Sequence, residues 1–342
     1  IKNPRINSKG FNTSAILGVV NTLEEVLKKE NPTHIGVAFD PAGPTFRHEA
    51  FEQYKAQREE TPEAIRLSVP IIKEIIRAYR IPILEVAGYE ADDVIGTLAT
   101  EAGRQGIITY MMTPDKDYGQ LVSDKVFMYR PKHTGGFEVM GVDEVKAKFD
   151  IQSPAQVIDM LGLMGDSSDN IPGCPGVGEK TAQKLIAEFG SIENLLEHTD
   201  QLKGALKTKV ETNREMITFS KFLATIKIDV PIQLDMDSLV REQADEDSLR
   251  QIFEELEFRT LIDRVLKKEN AGNGITTPTG NKTAAEKSNL APLPLFPEEG
   301  EAVQGDLFAN FTGNEPGEAK NSNLATLETL NCDYQLIDTE EK

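Results

Sequence analysis

"IPILEVAGYEADD", residues 81–93, runs from a short apolar stretch through Gly88 into three carboxylates, Glu90, Asp92 and Asp93. An apolar run, a glycine and an acidic start is the pattern of a buried strand that hands over to a helix, because carboxylates favour the positive end of the helix dipole. The same arrangement recurs on both sides. "HIGVAFD" (34–40) reads as a buried strand ending on Asp40, after a helix over 15–29 whose apolar positions 16, 19, 20, 23, 26 and 27 share one face. "GIITYMMTPDKD" (106–117) is a third strand that leads to Asp115 and Asp117, and helical patterns precede both it and the run at 81. Alternating strand and helix place the chain in the α/β class, with a parallel sheet carrying helices on its faces. Ligands of such sheets bind outside the carboxyl ends of the strands, so all six acids are expected along one edge.

Two more acids stand in "GDSSDNIPGCPGVGEKT" (165–181), where Asp166 and Asp169 are three apart and face one way in a helix or turn. Eight carboxylates in one crevice repel and raise one another's pKa unless cations neutralise them. Hard oxygen donors with no His or Cys among them select magnesium or manganese over zinc, and a pair of ions about 3.5–4 Å apart suits displacement at phosphorus. The chemistry implied is phosphodiester hydrolysis. A single Asp at a strand end is more often a cap or turn residue; recurrence at three strand ends is what carries the cluster.

The glycines that follow invite comparison with a nucleotide-binding loop, since Gly173 and Gly178 have its spacing and Lys180 and Thr181 come next. Glu179 separates glycine from lysine and no apolar strand precedes Gly173, so the match fails. What remains is a tight Gly176-Val-Gly178 turn opening the helix "TAQKLIAEFG", a helix-hairpin-helix arrangement whose free backbone N–H groups suit a DNA phosphate. From about Ser153 to Leu266 the pattern is mostly helical, with "IKIDVPIQ" (226–233) as the one strand signal. Between Phe46 and Arg66, Arg47, His48, Lys55 and Arg58 alternate with Phe46, Phe51 and Tyr54, a basic and aromatic mixture that suits a single strand of nucleic acid. Lys55 and Arg58 share a face and are placed to neutralise a scissile phosphate. His48 reads as a surface histidine.

The 342 residues carry a net charge of -19, which taken alone argues against a nucleic-acid partner. Its distribution answers the objection: residues 269–342 hold 13 acidic and 4 basic side chains, leaving -10 on residues 1–268, and eight acids assigned to cations bring that body near neutrality. Cys174 and Cys332 have no metal-ligand spacing and read as ordinary thiols. No run of 18 apolar residues and no export leader is evident, which gives the cytoplasm as the expected compartment and no membrane partner.

The ordered set FD, RHEAFEQYKAQR, YEADD, PDKD, GDSSDNIPG and GVGEKT closely resembles the 5′-to-3′ exonuclease domain of bacterial DNA polymerase I, of the flap endonuclease family. The resemblance covers about residues 1–268. It implies a PIN-like nuclease core over 1–150, a helical arch near 43–65, and an all-helical helix-hairpin-helix DNA-binding domain over 151–268. By the same resemblance the metal-binding acids are Asp40, Glu90, Asp92, Asp93, Asp115, Asp117, Asp166 and Asp169. The basic contacts are Lys55, Arg58 and Arg47, and the hairpin contacts fall on Gly176, Gly178, Lys180 and Thr181, where the family often binds potassium. The implied partners are DNA with 5′ flaps, nicks or RNA primers, met by a monomer. The segment 269–322 is expected as a disordered acidic linker, and 323–342 is similar to the entry into a 3′-5′ exonuclease-like domain. Family members open with a strand ending in Asp-Gly that this sequence lacks. The competing expectation is therefore a catalytically incomplete chain that only binds DNA junctions.

Overall fold

The computed structural model of the protein describes residues 4–132 and 136–266. Helix α1 (Ser14–Lys29) buries Ile16, Val20 and Leu27, the stripe set by its apolar spacing, against α3 (Glu63–Ala78), which contributes Ile65, Ile72, Ile75 and Ile76. Between them lie β1 (Val37–Ala38) and the short α2 (Phe46–Ala50). Strand β2 (Ile83–Leu84) pairs with β1 in parallel and hands over to α4 (Ala91–Arg104). The strand expected over 34–40 is thus regular for only two residues. Its flanks still find partners, Phe39 N–H on Leu84 O at 3.1 Å and Ile35 N–H on Leu239 O at 2.9 Å.

Strand β3 (Thr109–Met112) is followed by a 3₁₀ turn at Lys116–Leu121 and by β4 (Val126–Pro131), β5 (Phe137–Met140) and α5 (Val142–Phe149). β3 and β4 are parallel, as expected of crossover topology, whereas β4 and β5 are antiparallel. The sheet is therefore mixed, and among the described residues its strands form two groups, β1–β2 and β3–β4–β5. The three strand ends nevertheless bring Asp40, Glu90, Asp92, Asp115 and Asp117 to one cleft.

The second half is helical: α6 (Gln156–Met164), α7 (Glu179–Phe189), α8 (Ile192–Glu197), α9 (Gly204–Thr212), α10 (Arg214–Ala224), α11 (Met236–Leu239), α12 (Glu246–Glu255) and α13 (Arg259–Leu266). "IKIDVPIQ" is not a strand. Lys227 N–H donates to Asp93 Oδ1 at 2.8 Å and Val230 N–H to Thr97 Oγ1 at 3.2 Å, so side chains of α4 take the place of a neighbouring strand. Apolar packing does not follow a line at residue 150. One cluster joins Met111, Met128 and Val145 to α6, α7 and α10, while the other joins α1 and α3 to Leu249, Phe253 and Leu261 of α12 and α13. The last two helices, expected with the hairpin domain, return instead to the first. The linker and the 323–342 segment lie outside the described residues.

Helices α6 and α7 and the loop between them form the expected hairpin. Its neck is a crossing of two glycines in the left-handed region, Gly165 (φ +73°) and Gly173 (φ +61°), where a Cβ added at Gly173 would lie 2.3 Å from Gly165 N. Asp166 and Ile171 pair backbone to backbone just beyond the neck, closing the turn that carries Asp166 and Asp169. Gly173→Ala is expected to destabilise the fold by about 2 kcal/mol or more, since both the dihedral and the close approach are violated. Urea denaturation measures the loss; an unchanged midpoint would contradict the crossing.

Candidate active site

Asp40, Glu90, Asp92, Asp115, Asp117 and Asp169 line one small cleft, together with Tyr54, Lys55 and Arg58. Each arrives by a different route. Asp40 follows β1 and accepts from Ala91 N–H at 2.7 Å, tying the first strand end to the start of α4. Glu90 caps α4, and Asp92 stands in its first turn. Asp115 caps the 3₁₀ turn after β3 by accepting from Asp117 N–H at 2.9 Å. Asp169 comes from the turn beyond the glycine crossing. Five of the six strand-end acids and one of the later pair thus share a wall, as their spacing suggested.

Asp93 does not belong to that wall, and Arg47 lines the cleft with its guanidinium already committed to Asp93 and Glu90, so neither stands as expected. Asp93 is fully buried: its Oδ1 accepts from Arg47 and Lys227 N–H, and its Oδ2 accepts from Arg47 and Glu90 N–H, all at 2.8–3.1 Å. No lone pair is left aimed at the cleft. Neighbours on a helix are about 100° apart, and here Asp92 lines the cleft while Asp93 turns to Arg47 and the backbone. Arg47 is 2% exposed, bonds Asp93 and Glu90 at 2.8 Å, and donates to the carbonyls of Leu223 and Thr225. It lines the cleft and ties α2, α4 and the end of α10 together.

Asp166 stands just behind the wall, with Oδ1 accepting from Ser168 N–H and Oδ2 3.1 Å from Lys116 Nζ. Two tyrosines, Tyr118 and Tyr54, brace the acids, a role the sequence did not mark for either. Tyr118 OH donates to Asp92 Oδ1 at 2.7 Å, and Tyr54 OH lies 3.1 Å from both Glu90 Oε2 and Asp169 Oδ2. Tyr54 is therefore no base-stacking residue; its ring is buried. His48 is no free surface histidine either, since Nδ1 accepts from Thr45 N–H and the ring meets Tyr54 edge-on at 5.2 Å.

The arch segment lies directly on the acids. Lys55 Nζ is 2.6 Å from Glu90 and 3.7 Å from Asp169, and Arg58 bonds Asp169. Lys55 adopts the left-handed backbone (φ +55°), a cost of order 1 kcal/mol or more that is offset where its N–H bonds Asp169 O. Burial alone pushes Glu90 upward, but Lys55 and Arg47 hold it below the usual carboxylate range. Asp92 is pushed up to about 7 by burial and by Asp115, and Asp117 is raised by burial, Asp115 and Asp166. Asp117 Oδ1 is also buried without a hydrogen-bond partner.

Two carboxyls held above their ordinary values give a pH dependence whose sign is fixed. They bind protons more tightly folded than unfolded, so their contribution is fullest below pH ~4 and is lost as pH rises towards 7. Glu90 and Asp166, both lowered, act oppositely and only at more acidic pH. The metal-free protein is expected to lose melting temperature between about pH 4 and 7, and magnesium is expected to remove that slope. Scanning calorimetry in chelator and in magnesium checks both halves; a slope untouched by magnesium would contradict the assignment.

The donor set fits hard divalent cations, with oxygen ligands, excess negative charge and a buried unpartnered oxygen. Among the described residues no three carboxylates stand close enough to hold one ion as arranged here, and Lys55 and Arg58 occupy the place between Glu90 and Asp169 that a cation would take. At the hairpin, Gly176 is left-handed (φ +76°), Gly178 precedes the first turn of α7, and Lys180 is exposed on that turn beside the half-buried Thr181.

Comparison with known proteins divides the chain near residue 150, although the apolar packing does not. Residues 1–150 match the family described as 5′-3′ exonuclease, N-terminal resolvase-like domain, and residues 152–247 match that described as 5′-3′ exonuclease, C-terminal SAM fold. DNA polymerase I of Bacillus caldotenax is 42% identical over 261 residues, 76% of this chain and 30% of that protein. The chain therefore spans about 30% of the length of that relative. Zinc-bound T5 5′-exonuclease has a TM-score of 0.55 at 21% identity, covering 71% of this chain and 90% of that one. The bacteriophage T5 flap endonuclease in a complex with DNA and metal ions gives 0.54 at 22%, covering 75% and 93%. At these identities the two structures speak for the fold.

Proposed function

The chain belongs to the 5′-3′ exonuclease family, and from that premise we propose that it is a structure-selective 5′ nuclease that hydrolyses phosphodiesters of 5′ flaps and RNA primers. The observation that carries the reading is the gathering of six carboxylates from separated segments onto one cleft under Lys55 and Arg58. We place the nuclease core at 1–150 and the DNA-gripping part at 151–268. The compartment is the cytoplasm and the working unit a monomer, acting in replication and repair; among the described residues no helix is long and apolar enough to cross a membrane.

Two divalent ions, magnesium or manganese, would be held by Asp92, Asp115 and Asp117 with Asp40, Glu90, Asp166 and Asp169. When bound they supply a water of lowered pKa and neutralise the oxygens of the cleaved phosphate. The chain's own residues do the rest. Lys55 and Arg58 exchange their carboxylate partners for the phosphate, contributing charge where it develops. Tyr54 and Tyr118 keep Glu90, Asp169 and Asp92 oriented while this exchange takes place. The α6–α7 hairpin offers the backbone around Gly176 and Gly178, with Lys180 and Thr181, to the uncut duplex, and potassium is its proposed ion. The glycine crossing fixes that grip relative to Asp169.

A labelled 5′-flap oligonucleotide tests the reading: cutting in magnesium and none in chelator is expected. Lys55→Ala is expected to slow cutting by about 10²-fold, with junction affinity reduced far less. A junction bound tightly yet left intact in magnesium would instead make the chain a binding module.

A further inference from the structure

Five aromatic rings form a connected row beside residues that line the cleft. Phe46, at the start of α2, meets Tyr89 at 5.8 Å and Phe222 of α10 edge-on at 5.9 Å. Phe222 lies nearly parallel to Phe219 (18°, 6.1 Å), and Phe219 meets Phe51 edge-on at 5.6 Å. The residues next to Phe222, Leu223 and Ala224, line the carboxylate cleft itself, so the row is continuous with the candidate site. Phe222 is 39% exposed, and Met216, two turns earlier on α10, is 40% exposed. The row is also cationic. Lys227 Nζ stands 5.6 Å from the Phe46 ring centroid, and the Arg47 guanidinium lies 4.5 Å from it on its way to Glu90 and Asp93.

An open ring on a helix rim, flanked by cations and adjoining a site for phosphodiesters, has the composition of a base-stacking platform; bases of any sequence offer a π-face to such a ring. We propose that Phe222 stacks a nucleobase splayed out beside the bond to be cut, with Phe46 and Phe219 holding the ring in place and Lys227 facing the adjoining phosphate. The inference rests on the nuclease reading for its substrate and adds to it a subsite that selects unstacked, single-stranded nucleotides next to the junction. The half-exposed Lys227 ammonium beside the row, next to a cleft read as taking phosphodiesters, supplies the charge complement of a nucleotide, which is why the base is the occupant chosen.

The test uses the whole chain in chelator, so that affinity is read without cutting. Junction oligonucleotides carrying one abasic site at successive positions on either side of the expected cut are titrated by fluorescence anisotropy against the wild type, Phe222→Ala and Phe222→Trp. At one position the abasic site is expected to weaken wild-type and Phe222→Trp binding by roughly tenfold while leaving Phe222→Ala, already about tenfold weaker on the intact junction, unchanged. Phe222→Ala loses its contacts with Phe46 and Phe219 and is expected to melt somewhat lower, so all affinities are read well below its transition. Equal affinity of wild type and Phe222→Ala for every junction would overturn the proposal and leave the row to a protein partner. Equal loss at every abasic position would overturn it too. A wild type that binds and never cuts in magnesium would instead sink the nuclease reading, and the anisotropy cycle would still decide the stacking.

Discussion

Asp115→Asn is expected to lower flap cutting roughly 10³-fold or more while leaving junction affinity within a factor of a few. Asp115 stands between Asp92 and Asp117 and raises both, which makes it the shared member of the acidic wall. Removing its charge takes away one ligand and also relieves the two acids beside it. The metal-free variant should therefore be no less stable than the wild type, and more stable near pH 8. Loss of activity with gain of metal-free stability is a paired signature that a misfolded variant cannot give. Single-turnover cleavage together with thermal melting in chelator reads both halves; equal cutting by the variant would contradict the placement of Asp115.

The second large effect is structural. Arg47→Met leaves Asp93 ionisable at zero exposure with two of its four hydrogen bonds gone, and removing one partner of a buried ion pair typically costs about 3–5 kcal/mol. For a domain of this size that is of order 10 °C in melting temperature. Arg47→Met with Asp93→Leu should recover a good part of the loss, since two apolar side chains leave no stranded charge. Were Arg47 a DNA contact, the single variant would melt normally and bind junctions more weakly. Calorimetry of the single and double variants separates the two roles.

The contrast between these residues explains what the sequence discloses. Acids at Asp40, Glu90, Asp92, Asp115 and Asp117 were legible because strand ends of a parallel arrangement must share an edge, whatever the details of packing. Asp93 looked equivalent to Asp92, and only the rotation of the first turn of α4, locked by a cation 46 residues away, separates them. Tyr118 and Tyr54 left no signal as carboxylate partners, since a tyrosine near an acid in sequence is commonplace and these reach acids 26 and 36 residues distant. A period-2 pattern misled at "IKIDVPIQ", where Ile226 and Val230 are buried as in a strand but α4 side chains accept the backbone donors. The antiparallel β4–β5 pair and the return of α12 and α13 to α1 and α3 are long-range choices that local periodicity does not encode.

The hairpin neck shows how the two halves of "GDSSDNIPGCPGVGEKT" are mechanically one unit. Gly165 and Gly173 cross with no room for a side chain, the Asp166–Ile171 pair closes the acidic turn, and Cys174 N–H donates to Leu163 O at 2.7 Å on the other side. Asp169 in turn bonds Arg58 and accepts the Lys55 N–H on its carbonyl, so the segment carrying Lys55 and Arg58, the acids and the hairpin are joined through about nine residues. A change at the neck should therefore displace the acids and the hairpin together.

Manganese soaked into crystals of the whole chain and located by anomalous diffraction addresses the carboxylate cleft most directly. Density among Asp92, Asp115 and Asp117, with Lys55 and Arg58 withdrawn from Glu90 and Asp169, is the expected outcome. Manganese found only on the outer surface, with the cleft and its two cations unchanged at millimolar metal, would contradict it.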